Sequence, residues 1–416
     1  MSRDIETRRY KDSNEYISLL GFGGLRLPLE DNKQEIDKIK LQEMVDYAMY
    51  HGVNYFDTAY YYHGGKSEIY IGDALSKYPR DSFNLATKMP LGKEKGGIES
   101  EDDVERIFQT QLKKCKVDYF DFYLIHNINK DSWKLARKYS VYDLLKEKQR
   151  QGLIRHLGFS FHDRPELLDE VVTTYNWDFV QIQLNYLDWE FQNAKGQYQI
   201  LKDKCIPITV MEPVRGGMLA ALCEKSIKLL KDANHDASAA SWAIRYAASL
   251  PEVLTVLSGM TNIIQVKDNV QTMENFSPLN TDEYAVIERA LTVYKKSVII
   301  PCTACRYCID CPVRIDIPAV LSIYNDYYHL RKHKREAINN FLFRYSVLGL
   351  DKQICHCIRC NQCAERCPQH INIPHWIEVV NKLYKITNQK NKIYYRLRKM
   401  KIFVRIYKFI KNMVKQ

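Results

Sequence analysis

The hydrophobic pattern of residues 15–275 alternates between short runs typical of strands and longer stretches typical of helices. Apolar side chains at every second position indicate a strand, and apolar side chains three and four positions apart indicate a helix. Strands are predicted over residues 16–21, 53–56, 83–86, 120–125, 155–159, 180–184, 208–211 and 253–257, with helical patterns between them, for instance 39–50, 104–114, 141–150 and 237–249. Eight strand-then-helix units of roughly 30 residues each predict a closed (β/α)8 TIM barrel.

A doubly wound open sheet is the alternative α/β fold for such a pattern. In its dinucleotide-binding form that fold carries a G-x-G-x-x-G turn after an early strand, and no such turn follows the early strands of this sequence. The barrel is therefore the preferred prediction. Helical patterns continue over residues 281–297 and again over 319–350, so the region beyond the barrel is predicted to be mainly α-helical.

The formal net charge of +11 raises the question of nucleic-acid binding, because basic proteins often bind phosphate backbones. Residues 390–416 contain ten Lys or Arg and no Asp or Glu, whereas residues 1–389 contain 51 basic and 50 acidic side chains. The body of the protein is therefore nearly neutral, and no nucleic-acid partner is predicted. Residues 386–416 form a basic amphipathic tail that fits either an anionic membrane surface or a protein surface.

The cysteines are distributed as unevenly as the charge. Of the 12 cysteines, Cys115, Cys205 and Cys223 are scattered over the first 300 residues, and the other nine lie between residues 302 and 367. No run of about 18 apolar residues predicts a membrane span, and the charged residues 1–6 are unlike a secretion signal. These features predict a cytoplasmic protein, and clustered cysteines in a reducing compartment indicate metal binding before disulfides.

Four polar residues lie where a barrel enzyme carries its chemistry, at the carboxyl ends of successive strands. Asp57 ends the second predicted strand, Lys88 the third and His126 the fourth, and Tyr62 follows on the loop after Asp57. Taken singly, Tyr62 is one of 29 tyrosines and His126 has the alternative of an ordinary core histidine. Together they can protonate a carbonyl oxygen, because an adjacent ammonium lowers the pKa of a phenol, a carboxylate holds that ammonium, and an imidazole binds the oxygen.

The motifs around these residues resemble the aldo-keto reductase family. The resemblance is carried by residues 52–59 with Tyr62 five positions after Asp57, by residues 86–88, and by residues 124–126. It implies an NAD(P)-dependent oxidoreductase of an aldehyde or ketone substrate, in which Tyr62 donates the proton, Lys88 and Asp57 adjust its acidity, and His126 orients the carbonyl group.

The same resemblance implies a set of cofactor-binding residues on the later barrel loops. They are Ser160, Gln183, Asn185, Met211, Pro213, Arg215, Gly216, Ser258, Gly259, Met260, Gln265, Asp268 and Asn269. Many relatives carry an arginine near the adenosine 2′-phosphate at the position that Gln265 occupies here. The resemblance therefore implies NADP or NAD as the cofactor.

Two cysteine motifs follow the barrel. The first is Cys302-x₂-Cys305-x₂-Cys308-x₂-Cys311-Pro312, and the second is Cys357-x₂-Cys360-x₂-Cys363-x₃-Cys367-Pro368. Each motif precedes a similar five-residue segment, residues 314–318 and 370–374, so the region is an internal repeat. Three cysteines at this spacing with a fourth before proline are typical of 4Fe–4S clusters, and tetrahedral zinc, which also uses C-x₂-C pairs, is the alternative.

The motifs resemble two-cluster ferredoxins, and the long helical insert resembles the α-helical type of that domain. The resemblance implies two 4Fe–4S clusters with crossed ligands: Cys302, Cys305, Cys308 and Cys367 for one, and Cys357, Cys360, Cys363 and Cys311 for the other. Cys355 stays outside the ligand set. Residues 62–68 and 185–190 are similar to a subgroup of aldo-keto reductases that carries such a C-terminal domain.

The predicted domains are a barrel over residues 1–280, a bridging helix over 281–297, an α-helical ferredoxin-type domain over 298–385 and the tail over 386–416. The leading hypothesis is a carbonyl oxidoreductase whose clusters are coupled to turnover or serve as a scaffold. The alternative is an electron-transfer or redox-sensing protein in which the barrel binds nicotinamide and the clusters exchange electrons with a partner protein. A hydride carries two electrons and a cluster passes one, so the sequence leaves the coupling open.

Overall fold

The structure is a computed structural model that describes residues 5–30, 35–92, 96–274, 276–295, 299–303, 305, 307–308, 311–330, 334–347 and 354–389. The chain divides into two compact units, Met1–Tyr294 and Lys295–Gln416. Within the described residues, no helix is long and apolar enough to cross a membrane. The predicted tail lies outside the described residues from residue 390 onward.

The first unit is a closed barrel of eight parallel strands, as predicted. An antiparallel hairpin, β1 (Thr7–Arg9) and β2 (Tyr16–Ser18), precedes it. The barrel strands are β3 (Leu20–Gly23), β4 (Tyr55–Asp57), β5 (Asn84–Met89), β6 (Phe120–Ile128), β7 (Ile154–Phe161), β8 (Phe179–Gln183), β9 (Ile208–Met211) and β10 (Val253–Gly259). They pair in chain order, and β10 closes the barrel against β3.

Helices connect the strands and cover the barrel. They are α1 (Lys38–Tyr50), α2 (Ser67–Leu75), α3 (Asp102–Cys115), α4 (Lys130–Lys138), α5 (Val141–Arg150), α6 (Pro165–Thr174), α7 (Asp188–Phe191), α8 (Ala194–Asp203), α9 (Glu224–Ala233), α10 (Ala239–Ala248), α11 (Ile263–Glu274) and α12 (Thr281–Lys295). The side chains of Asp37, Asn129 and Ser238 accept hydrogen bonds from the first turns of α1, α4 and α10, which satisfies amides that the helices leave without partners. The helix predicted over residues 281–297 corresponds to α12, which belongs to the first unit as far as Tyr294.

The run predicted as one strand over residues 16–21 is two elements. Residues up to Ser18 pair with β1, and Leu20 begins the barrel strand. The hairpin brings Tyr10 and Ile17 against Tyr55, Phe122 and Phe179, which lie in the amino-terminal parts of their strands. The hairpin therefore covers the amino end of the barrel, and the carboxyl ends of the strands are left for the site.

The second unit is mainly helical, as predicted, with α13 (Ile317–Leu330), α14 (Lys334–Val347), the short α15 (Gln362–Glu365) and a helix over residues 373–389. Its core is formed by buried aliphatic and aromatic side chains, among them Ile317, Leu321, Phe341, Ile373 and Val380. Five of the eight motif cysteines pack against this core, and Cys308 is itself part of it. Most of the motif thiols therefore lie against apolar side chains.

Candidate active site and cysteine cavities

A buried ion pair joins the ends of two neighbouring strands. Asp57 is the last residue of β4, and Lys88 projects from β5, which pairs with β4. The Lys88 Nζ donates to both carboxylate oxygens of Asp57 at 2.6 and 2.7 Å and to the carbonyl oxygen of Thr58 at 2.8 Å. Gln181 on β8 also donates to Asp57 at 3.3 Å. The Lys88 side chain is fully buried, and its donors are directed at fixed acceptors.

Burial and pairing act against each other in this ion pair. Burial raises the pKa of the Asp57 carboxyl and lowers the pKa of the Lys88 ammonium, and the charge of each group opposes the shift of the other. Removing either partner would leave the other charge buried without compensation, a situation that costs several kcal/mol in proteins.

Tyr62 and His126 lie beside this pair. The Lys88 Nζ is 5.1 Å from the centre of the Tyr62 ring, and the rings of Tyr62 and His126 meet edge to face with centroids 5.9 Å apart. Tyr62 is half-buried and His126 is buried. The structure therefore brings together the four residues predicted from the sequence, although they lie on three different strand ends and one loop.

Tyr61 is a member of this cluster that the sequence analysis missed. Its ring stacks on His126 with centroids 4.8 Å apart and planes within 10°, and burial raises the pKa of its phenol. The imidazole is therefore held between two aromatic rings, Tyr61 on its face and Tyr62 at an edge. The only available signal was that Tyr61 is adjacent to Tyr62 in the chain.

The loop that carries Tyr62 is fixed by hydrogen bonds and by tight backbone packing. Tyr62–Gly65 form a short 3₁₀ helix with positive φ at His63 and Gly64, and the Nε2 of His63 accepts from the amide of Leu27 at 3.1 Å. A Cβ at Gly24 would lie 2.8 Å from the carbonyl oxygen of Asp57. Glycine at position 24 therefore lets the loop after β3 approach the end of β4.

Three of the predicted cofactor-binding residues share one buried carboxylate, Asp188. Gln183 and Asn185 donate to its Oδ2, both at 2.7 Å, and the Nε of Arg215 lies 2.9 and 3.0 Å from its two oxygens. Asp188 and Arg215 have fully buried side chains. Sequence analysis missed Asp188, although a buried arginine requires an anionic partner and this carboxylate is five residues beyond the end of β8.

Glu212 links the loops after β3, β8 and β9. Its carboxylate is 3.5 Å from Arg26, and its carbonyl oxygen accepts from Asn185 at 3.0 Å. Burial raises the pKa of the Glu212 carboxyl, and the charges of Arg26 and Arg215 oppose the rise. The predicted residues Met211, Pro213 and Gly216 belong to this segment, Met211 half-buried at the end of β9, Pro213 buried and Gly216 half-buried with φ +64°.

The remaining predicted cofactor residues lie on β7 and around the start of α11. Ser160 accepts from the amide of Asn127 at 2.8 Å, and Ser258 accepts from Asn269 at 2.9 Å. Gly259 ends β10, and Met260 after it is buried. Gln265 accepts from the amide and hydroxyl of Thr261 at 2.8 and 3.1 Å, and Asp268 accepts from Ser238 at 2.7 Å.

In the second unit the motif cysteines surround two cavities, each containing members of both motifs. The first is lined by Cys302, Cys305, Cys308 and Cys367. The second is lined by Cys311, Cys357, Cys360 and Cys363, and Cys308 contributes to its wall as well. No three described His, Cys, Asp or Glu side chains converge on one point that would hold a single metal ion. The motif cysteines instead line the walls of the two cavities.

The thiols within each cavity influence one another. Burial raises the pKa of Cys308, and the thiols of Cys305, Cys302 and Cys367 raise it further. Burial, Cys311, Cys357 and Cys360 raise the pKa of Cys363 to about 11. These are the two groups of four that the crossed assignment implies.

Comparison with known proteins identifies both units. Residues 19–292 match the aldo/keto reductase family, and residues 301–372 match the 4Fe-4S dicluster domain. An uncharacterized oxidoreductase of Bacillus subtilis is 25% identical over 64% of this chain and 90% of its own length. The L-galactose dehydrogenase of Arabidopsis thaliana is 26% identical over 68% of this chain and 93% of its own length.

A solved structure agrees with these matches. The holo form of an aldo-keto reductase from Bacillus halodurans superposes with a TM-score of 0.58 at 26% identity, covering 69% of this chain and 96% of that one. The family match covers well over half of the chain, and the barrel fold and the helical second region agree with the sequence predictions. The chain belongs to the aldo/keto reductase family and carries a 4Fe-4S dicluster domain after its barrel.

Proposed function

We propose that the barrel transfers hydride between a nicotinamide dinucleotide and an aldehyde or ketone, with Tyr62 as the proton donor. The observation that carries this proposal is the distance of 5.1 Å between the Lys88 Nζ and the centre of the Tyr62 ring, with Lys88 held by Asp57. A cation at this distance stabilises a phenolate and so makes the phenol a stronger acid near neutral pH. The nicotinamide supplies the hydride when it is bound.

The protein's own residues perform the remaining tasks. Tyr62 delivers a proton to the oxygen of the carbonyl substrate, and His126, held between Tyr61 and Tyr62, donates a hydrogen bond to the same oxygen. Asp57 keeps Lys88 in place through two hydrogen bonds. In the alcohol-oxidising direction the same phenol accepts the proton, because each step is reversible.

The nicotinamide cofactor is proposed to lie along the loops after β7 to β10. The donor set suits a dinucleotide: Ser160, Gln183 and Asn185 offer hydroxyl and amide groups, and Arg215 and Gly216 offer backbone groups at positive φ. The start of α11 offers amides suited to a phosphate group. Gln265, uncharged, favours NAD as much as NADP.

The second unit is proposed to hold two 4Fe–4S clusters with the crossed ligand sets. Each cavity offers four thiols from both motifs within an apolar core, which is the ligand set that such a cluster requires. A tetrahedral zinc site instead needs four ligands converging on a point at about 2.3 Å from the ion. Iron, acid-labile sulfide and zinc contents after anaerobic purification test this proposal, and one zinc per four cysteines without sulfide would overturn it.

The test of the catalytic proposal is Tyr62→Phe. This variant removes only the phenolic hydroxyl, so we expect carbonyl reduction to fall by about 10³-fold or more while NADPH and NADH binding, measured by fluorescence, stays the same. Tyr70→Phe on α2 is the matched control, since Tyr70 contacts a surface lysine and should keep full activity. Retained turnover in Tyr62→Phe would exclude the phenol as proton donor.

A second candidate function is electron transfer or redox sensing with a partner protein. It is favoured by Cys308, which lines both cysteine cavities and so places the two sets of thiols on either side of one side chain. Adding NADH or NADPH without a carbonyl substrate distinguishes the candidates. Bleaching of the cluster absorbance favours electron transfer, and an unchanged spectrum favours a scaffold.

The basic tail, residues 386–416, is proposed to make a peripheral contact with an anionic membrane. Docking on a protein surface is the alternative. Residues 390–416 lie outside the described part of the chain. Sedimentation with anionic liposomes, comparing the full chain with one ending at residue 389, tests the membrane contact. Equal partitioning of the two proteins would exclude it.

A further inference from the structure

A second buried carboxylate lies behind the catalytic cluster. Glu68 follows Tyr62 by six residues, lies in the first turn of α2 and is fully buried. It is none of the four residues to which the proposed chemistry assigns a task. A buried carboxylate is costly unless it is paired, so its presence next to the site calls for a physical reason.

Glu68 is tied to the strand that carries Lys88. Its Oε1 accepts from the hydroxyl of Thr87, the residue before Lys88, at 2.7 Å, and from the Nε2 of Gln111 at 2.6 Å. The same Nε2 atom lies 3.0 Å from the carbonyl oxygen of Lys88. One carboxylate therefore connects the helix after the Tyr62 loop, the strand of Lys88 and the helix α3.

The negative charge of Glu68 is only partly compensated. Its closest cation is Lys114, at 3.4 Å from Oε2, and the Lys114 side chain is 21% exposed to solvent. Burial lowers the pKa of Lys88 and raises the pKa of Tyr123 and Cys115, and the charge of Glu68 opposes the first shift and adds to the other two. Lys88 is thus influenced by two carboxylates, Asp57 in direct contact and Glu68 from behind.

We propose that Glu68 is a positioning residue of this active site, whose buried charge keeps Lys88 an ammonium ion and whose hydrogen bonds fix the Lys88 strand against the helix that follows the Tyr62 loop. This inference rests on the proposed role of Tyr62 as proton donor. A neutral side chain of the same shape could make similar hydrogen bonds to Thr87 and Gln111. The charge is therefore the property that the site uses.

The direction of the effect follows from the charges around the site. The titratable and charged groups that face Lys88, Tyr62 and Glu68 are Asp57 on β4, Tyr61 on the loop, Lys114 and Cys115 on α3, and Tyr123 and His126 on β6. Removing a negative charge lowers the pKa of every nearby group. While Lys88 remains an ammonium ion paired with Asp57, Tyr62 therefore loses its proton at lower pH when Glu68 is neutral.

The experiment measures this shift directly in the full-length protein. Tyrosine labelled with ¹³C at Cζ reports phenol ionisation by NMR, and the Tyr62 signal is identified by its loss in Tyr62→Phe. We expect the Tyr62 titration to move to lower pH in Glu68→Gln, together with the alkaline limb of 4-nitrobenzaldehyde reduction by NADPH. Asp73→Asn, another carboxylate of α2 paired with Lys116 at 2.6 Å, is the control and should titrate like the unchanged protein.

A second variant keeps the inference testable if Glu68→Gln fails to fold. Lys114→Met, at a partly exposed position, removes the cation nearest to Glu68, so the Tyr62 titration should move to higher pH. Identical Tyr62 titrations in all folded variants would overturn the role of Glu68. The proposed function fails separately, if Tyr62→Phe retains turnover, because that result does not depend on any change at position 68.

Discussion

The barrel site and the cysteine cavities satisfy their buried polar groups in opposite ways. In the barrel, Lys88 and Asp57 compensate each other with hydrogen bonds of 2.6 and 2.7 Å. In the second unit, burial raises the pKa of Cys308 and Cys363, and the neighbouring thiols raise it further because ionised sulfurs placed together repel. The carboxylate and the ammonium of the barrel neutralise each other, whereas four thiolates placed together need a positively charged centre to be stable. The difference predicts that the two units respond differently when one buried polar side chain is replaced.

The largest effect is expected for Cys308→Ser. Metal binding of this kind is coupled to folding, and Cys308 lines both cavities, so we expect at least half of the bound iron to be lost. Hydrogen exchange measured by mass spectrometry should show protection lost over residues 311–330 and 354–389 and retained in the barrel strands. Cys205→Ser is the control, since this cysteine is exposed and lies in the first unit. Full iron content in Cys308→Ser would contradict the assignment of Cys308 as a cluster ligand.

A smaller effect, confined to the barrel, is expected for Asp188→Asn. The substitution leaves Arg215 buried with a neutral partner, which should lower the free energy of unfolding of the barrel by roughly 3 kcal/mol. Because Gln183 and Asn185 also depend on Asp188, cofactor affinity should fall in the same variant. Urea unfolding and NADPH fluorescence measure the two losses.

The matched control for that experiment is Asp169→Asn. Asp169 pairs with Lys204 at 3.2 Å on the surface, with more than half of its side chain exposed, and surface pairs contribute about 0–1 kcal/mol. Equal destabilisation by the two substitutions would show that the Asp188 cluster is not the organising element of the loops after β8 and β9.

The smallest effect is expected for Gln265→Arg, which should change the preference for NADPH over NADH without disturbing the fold of either unit. An arginine here offers a charge-assisted hydrogen bond to an adenosine 2′-phosphate, so the kcat/KM ratio of NADPH to NADH should rise by about tenfold. Gln271→Arg, an exposed position on the same helix, adds the same charge and should leave the ratio unchanged. An unchanged ratio in Gln265→Arg would show that the cofactor phosphate lies elsewhere.

The sequence predicted the barrel well because each strand is a short apolar run with a helix pattern on either side. It also predicted that Asp57, Lys88 and His126 lie near one another, since they stand toward the ends of strands that meet at one rim. The sequence pattern predicted one strand over residues 16–21 because Tyr16–Ser18 and Leu20–Gly23 form a continuous, largely apolar run. Only the pairing of Tyr16–Ser18 with Thr7–Arg9 separates the two elements.

The residues that the sequence analysis missed have a common physical property. Asp188, Tyr61 and Glu68 are recognisable only through their contacts: a carboxylate facing a buried arginine, a ring stacked on an imidazole, and a carboxylate behind a lysine. Each looks like an ordinary polar or aromatic residue in a loop or a first helical turn. Such partners come from distant parts of the chain, so local patterns do not reveal them.

The mixing of the two cysteine motifs has a consequence for how the protein is made. In the proposed ligand sets, Cys367 completes the group that begins with Cys302, and Cys311 completes the group of Cys357, Cys360 and Cys363. On a ribosome the first motif emerges more than fifty residues before the second, so for that interval neither group of four exists. A nascent chain must therefore keep its early thiols reduced until the last one arrives, and any message truncated before residue 363 yields a protein with two incomplete sets.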